Sequence, residues 1–258
     1  MLNNSLSYSE ASLLELSSKK WEPQLIKTIT TDSRFFRQPF NMSLKKHSIL
    51  IDKILGFKIL RVEEKLLQRY RKFYADDESD QKNRYDDSET WIGLHPQTLL
   101  TPYSEILGIL EKVSKFKLTK VVDLGCAYGR IGFVLPAILP NCEFIGYELV
   151  TERAREGRRV ASTLKMDHFS ILEENLLSAD FKLPHASMYF IYDFSRVEDL
   201  KLILERLIEL IGVHDFILVA RGDEVRSLIQ MYYPIFLSRH TPIHLKNCSI
   251  FITHPETL

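Results

Sequence analysis

Cysteines and long apolar runs are both scarce in this chain of 258 residues. The three cysteines, Cys126, Cys142 and Cys248, include no Cys-x-x-Cys pair, which favours free thiols in a reducing compartment over a disulfide framework. No apolar stretch approaches the roughly 18 residues that a membrane-spanning helix needs. The amino-terminal segment has no basic stretch followed by an apolar run, so we expect no secretory leader. Together these absences predict a cytoplasmic protein.

Net charge is also absent, because 34 Lys and Arg residues balance 34 Asp and Glu residues. This balance gives no strong nucleic-acid signal and does not require an anionic membrane as a partner. The distribution is uneven, since residues 1–72 carry 14 basic and 7 acidic residues. A basic stripe at helical spacing consists of Lys58, Arg61, Lys65, Arg69 and Lys72. The stripe is either a solvated helix face or a docking face for an acidic partner, and the acidic segment 76–87 is a candidate intramolecular counterpart.

The apolar pattern divides the chain into two regions. Over residues 1–87 apolar side chains recur at the helical period, for example at Ile59, Val62 and Leu66. We interpret this region as helices that dock a substrate or partner, or that cap the second region. Residues 88–258 alternate β-type apolar runs with helical ones, which predicts right-handed crossovers. We therefore predict an α/β domain with a Rossmann-like, seven-stranded, mostly parallel sheet and helices on both faces.

Two details of this domain can be predicted from local residues. Pro136 lies inside the first helical run, residues 129–139, and should shorten or kink that helix. The final β-type runs, residues 235–240 and 248–254, are joined by a short connection, so we expect them to pair antiparallel at one edge of the sheet.

The stretch VVDLGCAYGRIG, residues 121–132, reads as a buried strand, a tight turn and the start of a helix. The turn lacks the G-x-G-x-x-G spacing of a dinucleotide site. Its pattern is Asp123-x-Gly125-x-Ala127-x-Gly129, which resembles the first motif of the class I, seven-strand S-adenosylmethionine (SAM) methyltransferases. Glycines there let the backbone approach a zwitterionic amino acid closely, and Asp123 can reach its ammonium group. Ala127 replaces the usual middle glycine and costs one methyl group of clearance.

Two further polar residues follow neighbouring predicted strands. Glu148 ends the second strand, 25 residues after Asp123, where an acid can accept both ribose hydroxyls. Asn175 follows the third strand, where the resemblance implies a contact with the adenine amino group. The alternative for Asn175 is a turn or helix-cap residue.

The sequence also resembles, more narrowly, the disruptor-of-telomeric-silencing family of non-SET lysine methyltransferases. The match runs from TPYSEIL, with Thr101 22 residues before Asp123, through DLGCAYGR to FIYDF. It implies that Thr101 lines the methionine end of the donor, that Arg130 is a donor-binding residue in place of the family's Gln, and that Asp193 lies beside a lysine channel. The Asn/Asp-Pro-Pro-aromatic motif of adenine and glutamine methyltransferases is not present.

After the fourth strand, Tyr192 and Asp193 are the candidate catalytic residues, since either can orient an amine acceptor or take its proton. A carboxylate acceptor would need no base, and Arg130 would then position it. Tyr85, Trp91 and Tyr103 either form an aromatic wall of the acceptor pocket or pack in the core. His240, His244 and Cys248 imitate zinc-ligand spacing, but Pro242 prevents the helix that would align them, so we expect no metal.

The leading hypothesis is a SAM-dependent methyltransferase whose acceptor is a protein, with lysine-like chemistry, or a small molecule. A catalytically degenerate SAM-binding module that acts as a partner or regulator is the alternative, motivated by Ala127 and the unfamiliar motif around Asp193. An NAD-dependent oxidoreductase is a third hypothesis, which the glycine spacing disfavours.

Overall fold

The computed structural model describes residues 7–74, 84–85, 88–238 and 240–253. The predicted helical region is confirmed. Its described residues form α1 (Glu10–Ser18), α2 (Pro23–Thr30), α3 (Ser33–Phe36), α4 (Leu44–Leu55) and α5 (Ile59–Tyr74). Hydroxyl caps begin two of these helices, because Ser9 accepts a hydrogen bond from Ser12 N and Ser43 accepts one from Lys46 N. The acidic segment 76–87 lies outside the described residues except for the backbone of 84–85.

Helix α5 is amphipathic in the predicted sense. Ile59 and Leu66 are buried, whereas the stripe residues Lys58, Arg61 and Lys65 are exposed. The stripe is partly used within the molecule, since Arg69 forms an ion pair with Glu152.

Alternating strands and helices follow. After the short strands β1 (Arg84–Tyr85) and β2 (Ser88–Glu89), the elements are α6 (Pro96–Leu99), α7 (Tyr103–Val113), β3 (Lys120–Leu124), α8 (Arg130–Val134), β4 (Glu143–Glu148), α9 (Thr151–Thr163), β5 (Phe169–Glu173), β6 (Met188–Tyr192), α10 (Val197–Glu209), β7 (Ile217–Arg221), α11 (Asp223–Tyr232), β8 (Ile243–His244) and β9 (Cys248–Ile252).

Strands β3 to β9 form one seven-stranded sheet in the order β5-β4-β3-β6-β7-β9-β8. The first five of these strands are parallel, and β9 pairs antiparallel with both β7 and β8. This is the Rossmann-like sheet that the resemblance to class I methyltransferases implies. Helices lie on both faces, since one core cluster includes residues of α7 and α9 and the other includes residues of α10 and α11.

The amino-terminal helices share a core with the sheet. Leu13 and Ile51 from these helices belong to the same buried cluster as Val121 of β3 and Phe144 of β4. Hydrophobic burial therefore couples the amino-terminal helices to the sheet. Among the described residues, no helix is long and apolar enough to cross a membrane.

Two sequence predictions near prolines have different outcomes. The first helical run is shortened as expected, because α8 ends at Val134 and a 3₁₀ turn, Leu135–Ala137, contains Pro136. The predicted strand at 235–240 is wrong, since Pro234–Leu237 is a 3₁₀ helix and the edge strand is β8. Pro234 lies in the first turn of this 3₁₀ helix, where its fixed φ suits a helical start, and Phe236 is buried there.

The strand registers place four polar or charged side chains on one face of the sheet, at its carboxyl edge. Val121 pairs with both Phe144 and Met188, and Met188 pairs with Ile217, so these positions share a face. Because side chains alternate along each strand, the positions that share this face toward the carboxyl edge follow at steps of two. They are Asp123, Glu148, Tyr192 and Arg221.

Candidate functional site

Two adjacent cavities lie at the carboxyl edge of the parallel strands, which is where open α/β sheets bind ligands. The larger has a volume of about 240 Å³ and the smaller about 30 Å³. Nine of the ten site residues predicted from the sequence line one or both cavities. The larger cavity is lined by Gly125, Ala127, Glu148, Asn175, Tyr192 and Asp193, and the smaller by Thr101, Asp123, Gly125, Ala127, Arg130 and Tyr192.

The remaining predicted residue, Gly129, is not among the residues that line these cavities. It begins α8 with φ +73°, and a Cβ atom there would lie 2.8 Å from the Phe169 ring. Packing of the turn against β5 therefore explains this glycine without a ligand.

The turn between β3 and α8 is held by backbone hydrogen bonds. Gly125 N and Cys126 N both donate to the Tyr147 carbonyl, at 3.1 and 2.8 Å. Ala127 has φ +49°, a left-handed conformation that is strained for a residue with a Cβ atom. The middle position of the motif therefore has the backbone geometry of a glycine although an alanine occupies it.

Glu148 closes this turn through its carboxylate. Its Oε2 accepts a hydrogen bond from Ala127 N at 2.8 Å, and its Oε1 accepts one from Val150 N at 2.8 Å. Burial raises the pKa of this carboxyl, while the charge of Arg153 and these two N–H groups oppose the rise. Each carboxylate oxygen keeps a second lone pair, so Glu148 can still accept hydroxyl groups from a ligand.

Asp123 is a buried acid whose carboxylate receives no hydrogen bond from the described residues. Its residue is only 6% exposed, and within the described part of the chain no group donates a hydrogen bond to its carboxylate. Burial first, and then the nearby charge of Glu148, raise the pKa of Asp123 to about 8. A ligand that brings a cation or hydrogen-bond donors to this carboxylate would remove the cost of its burial.

Three buried arginines surround the site, and each has its own carboxylate partner. Arg130 donates to Asp52 of α4 through both Nε and Nη2. Arg153 donates from Nε and Nη2 to Glu63 of α5, at 2.8 and 3.0 Å, and Tyr128 Oη donates to the same acid.

The third pair is Arg221 with Glu105 of α7, with Nε–Oε1 at 2.8 Å and Nη2–Oε2 at 3.2 Å. In the described part of the chain, these three arginines donate to their own acids and form no hydrogen bond with Asp123 or Glu148. A ligand with positive charge would favour the ionised form of both acids.

Sequence reasoning missed these acidic partners. Glu63 offered one signal, because it lies on the otherwise apolar face of α5, between Ile59 and Leu66. A charged residue on an apolar helix face predicts a buried ion pair. Asp52 and Glu105 carried no comparable signal.

Arg130 and Tyr103 belong to a packed network. The Arg130 guanidinium lies 4.8 Å from the Tyr103 ring centroid and also donates to the Thr101 carbonyl at 3.1 Å. Tyr103 is fully buried, and its Oη donates to Asp52 at 2.8 Å. Tyr103 is therefore a core residue and not part of an acceptor wall, whereas Trp91 does line the larger cavity. The Tyr85 side chain lies outside the description.

Asp193 caps the helix that follows the next strand. Its Oδ1 accepts a hydrogen bond from Val225 N at 2.9 Å, and its Oδ2 accepts one from Glu224 N at 3.2 Å. A Cβ atom on Gly222 would lie 2.1 Å from Oδ2, so the glycine makes this approach sterically accessible. The N-cap position of α11 is Gly222, which has no side chain to cap the helix, so Asp193 supplies the acceptors for the first turn. Burial raises the pKa of Asp193, and these hydrogen bonds oppose the rise.

Three further side chains that line the larger cavity form hydrogen bonds with the backbone around it. Asn175 forms an Asx turn in which its Oδ1 accepts from Leu177 N at 2.9 Å. Tyr192 Oη donates to the Thr98 carbonyl at 3.3 Å, and Trp91 Nε1 donates to the Phe194 carbonyl at 3.0 Å. These bonds fasten the segment before α7 across the end of β6.

Within the described ranges, no group of three or more His, Cys, Asp or Glu side chains is arranged to hold a metal ion. His244 and Cys248 do not converge on a common ligand position. His244 Nδ1 instead lies 2.9 Å from the Ser249 hydroxyl, and Cys248 is buried on β9.

No family model matches the chain, and no curated protein matches it. Solved structures with a similar fold include an RNA methyltransferase from Salinibacter ruber in complex with S-adenosyl-L-homocysteine, at 16% identity over 62% of this chain and 95% of that chain, with a TM-score of 0.44. They also include the C-terminal domain of precorrin-6Y C5,15-methyltransferase from Rhodobacter capsulatus, at 14% identity over 61% of this chain and 95% of that chain, with a TM-score of 0.44. A putative O-methyltransferase from Klebsiella pneumoniae is similar at 11% identity over 74% of this chain and 89% of that chain, with a TM-score of 0.41.

Proposed function

We propose that this protein is a SAM-dependent methyltransferase whose acceptor is a protein side chain of the lysine type or a small molecule. The observation that carries the proposal is Asp123, a buried carboxylate that no described group satisfies. It shares one sheet face with Glu148, and both acids border cavities at the ligand-binding edge of the sheet. SAM has an ammonium group, a sulfonium and ribose hydroxyls, which match these two acids.

We assign the two halves of the donor to the two cavities by the residues that line them. In the larger cavity, Glu148 would accept the ribose hydroxyls, and Asn175 would contact the adenine. In the smaller cavity, Asp123 would accept from the ammonium group beside Thr101. Because the donor is a nucleoside joined to an amino acid, residues that line both cavities would flank the joining sulfur. These shared residues are Leu99, Gly125, Ala127 and Tyr192.

The bound donor supplies an activated methyl group, so the protein's task is to align an acceptor and exclude water. Trp91, Tyr192 and Phe194 line the larger cavity and supply an apolar wall for that purpose. Tyr192 and Asp193 are the residues proposed to orient the acceptor. The capping bonds hold Asp193 in place, which supports an orienting role over that of a mobile base.

A second candidate function is a donor-binding module without methyl transfer. The observation that favours it is that both Asp193 oxygens already accept hydrogen bonds from α11. These bonds occupy the carboxylate with a structural role and reduce the rise in pKa that its burial causes.

Calorimetric titration with SAM, S-adenosyl-L-homocysteine and NAD tests donor binding. We expect both adenosyl ligands to bind and NAD not to bind. Asp123→Asn and Glu148→Gln should each weaken SAM binding at least about tenfold, because each removes charged hydrogen bonds. Glu198→Gln, on the exposed first turn of α10, is the matched control and should leave the affinity unchanged. If neither SAM nor S-adenosyl-L-homocysteine binds, the proposal is refuted.

Transfer is tested separately, with methyl-labelled SAM and a cell lysate. Labelled products with the wild type, reduced in Asp193→Asn, support the enzyme and identify the acceptor by mass spectrometry. Donor binding without any labelled product supports the module.

A further inference from the structure

Tyr192 is held from one side by a buried cation. The Arg221 guanidinium lies 4.4 Å from the centroid of the Tyr192 ring, within the range of a cation–π contact. The two residues are direct partners in the pairing of β6 with β7. Arg221 is in turn fixed by Glu105, which also accepts a hydrogen bond from Asn247 Nδ2 at 3.2 Å.

The position of Tyr192 gives this contact a consequence for ligand charge. Of the four residues that line both cavities, Tyr192 is the aromatic one. Under the proposed function, on which this inference rests, its ring therefore lies beside the sulfur of the ligand. That sulfur is cationic in SAM and neutral in S-adenosyl-L-homocysteine, so the ring and its surroundings contribute differently to the two affinities.

We propose that Arg221 is a positioning residue that sets the discrimination between the cationic donor and its neutral product. A ring that already contacts the Arg221 cation attracts a second cation less, and the Arg221 charge itself repels the sulfonium. Glu105 partly neutralises that repulsion. The Glu105–Arg221–Tyr192 arrangement thus lowers donor affinity relative to product affinity. The size of this effect depends on how far the negative charge of Glu105 offsets the positive charge of Arg221.

The test is the ratio of donor to product affinity, measured by calorimetry on the full-length protein. Arg221→Met removes the cation at similar side-chain length and should raise this ratio roughly 2- to 10-fold. Glu105→Gln leaves the cation uncompensated and should lower the ratio. Arg221→Lys keeps a cation near the ring, so its ratio should stay within about twofold of the wild-type ratio.

Shifts of the affinity ratio in opposite directions for Arg221→Met and Glu105→Gln separate this role from general damage. A disturbed fold would weaken the binding of both ligands, and the ratio would not follow the charge that was removed. If Arg221→Met does not fold, the double variant Arg221→Met/Glu105→Gln leaves no unpaired buried charge and should still raise the ratio. An unchanged ratio in folded variants, or shifts of the same sign for Arg221→Met and Glu105→Gln, would overturn the inference. Loss of the proposed function itself is distinguishable, since the wild type would then bind neither ligand and both proposals would fall.

Discussion

Asp52 of α4 and Arg130 of α8 form a buried ion pair, although 78 residues separate them in the chain. Their side chains are 9% and 3% exposed. Arg130 directly follows the Gly129 that starts its helix, and it also lines the smaller cavity. Asp52, from the amino-terminal helices, therefore holds in place Arg130, one of the residues that line the proposed donor site.

Asp52→Asn should destabilise the protein by about 3–5 kcal/mol, because removal of one partner leaves the Arg130 charge buried and uncompensated. Urea unfolding followed by circular dichroism measures the change in the free energy of unfolding. The matched control is Glu15→Gln, which breaks the exposed Glu15–Lys19 pair and should cost less than about 1 kcal/mol. Equal losses in the two variants would contradict the structural role of Asp52.

The turn between β3 and α8 was predictable because its information is local. Asp123, Gly125, Ala127 and Glu148 occupy strand ends and a tight turn, whose spacing can be read along the chain. The alternation of strands and helices likewise predicts the parallel sheet. The carboxylate partners were not predictable in the same way, since Glu63 lies 90 residues from Arg153 and Asp193 lies 32 residues from Val225. Such pairings depend on how the layers pack, which periodicity does not encode.

Asp193 should matter for stability as well as for the acceptor. Asp193→Ala removes two acceptors from the first turn of α11 and should cost about 1–3 kcal/mol. Asp193→Asn keeps one acceptor oxygen and should cost less. Asp223→Ala, at the first residue of α11, should cost less than about 1 kcal/mol because its side chain is 95% exposed. A larger loss for Asp223→Ala than for Asp193→Ala, measured by urea unfolding, would reverse this assignment.

Ala127 and Gly129 should respond in opposite directions to exchange of alanine and glycine. Ala127→Gly relieves a left-handed backbone strain of about 1–2 kcal/mol at an entropic cost of about 0.4–1 kcal/mol, so stability should be unchanged or slightly raised. Gly129→Ala introduces the same strain and brings a Cβ atom to 2.8 Å from the Phe169 ring, which should cost about 1–3 kcal/mol. Urea unfolding midpoints at equal m values check both. Destabilisation by Ala127→Gly would show that the methyl group packs favourably in this turn.

Asp123 should make the stability of the ligand-free protein depend on pH. Its pKa rises from 3.8 in an unstructured chain to about 8 in the fold, so between these values the folded state keeps a proton that the unfolded state has lost. The unfolded state then binds fewer protons, and the free energy of unfolding falls as pH rises from about 4 to about 8. Asp123→Asn cannot ionise, so the difference between variant and wild type should grow across this window. Urea unfolding at a series of pH values measures that difference.

Binding of the proposed donor, SAM, provides the control for this pH dependence. An ammonium group at Asp123 stabilises the ionised carboxylate and lowers its folded-state pKa towards the unfolded value. Saturating SAM should therefore flatten the loss of stability with pH in the wild type, and the stabilisation by SAM should be larger at pH values near 8 than near 6. In Asp123→Asn the stabilisation by SAM should lack this dependence. A wild type whose stability difference from Asp123→Asn is the same at every pH would mean that Asp123 is already ionised in the ligand-free fold, and that another positive group compensates it.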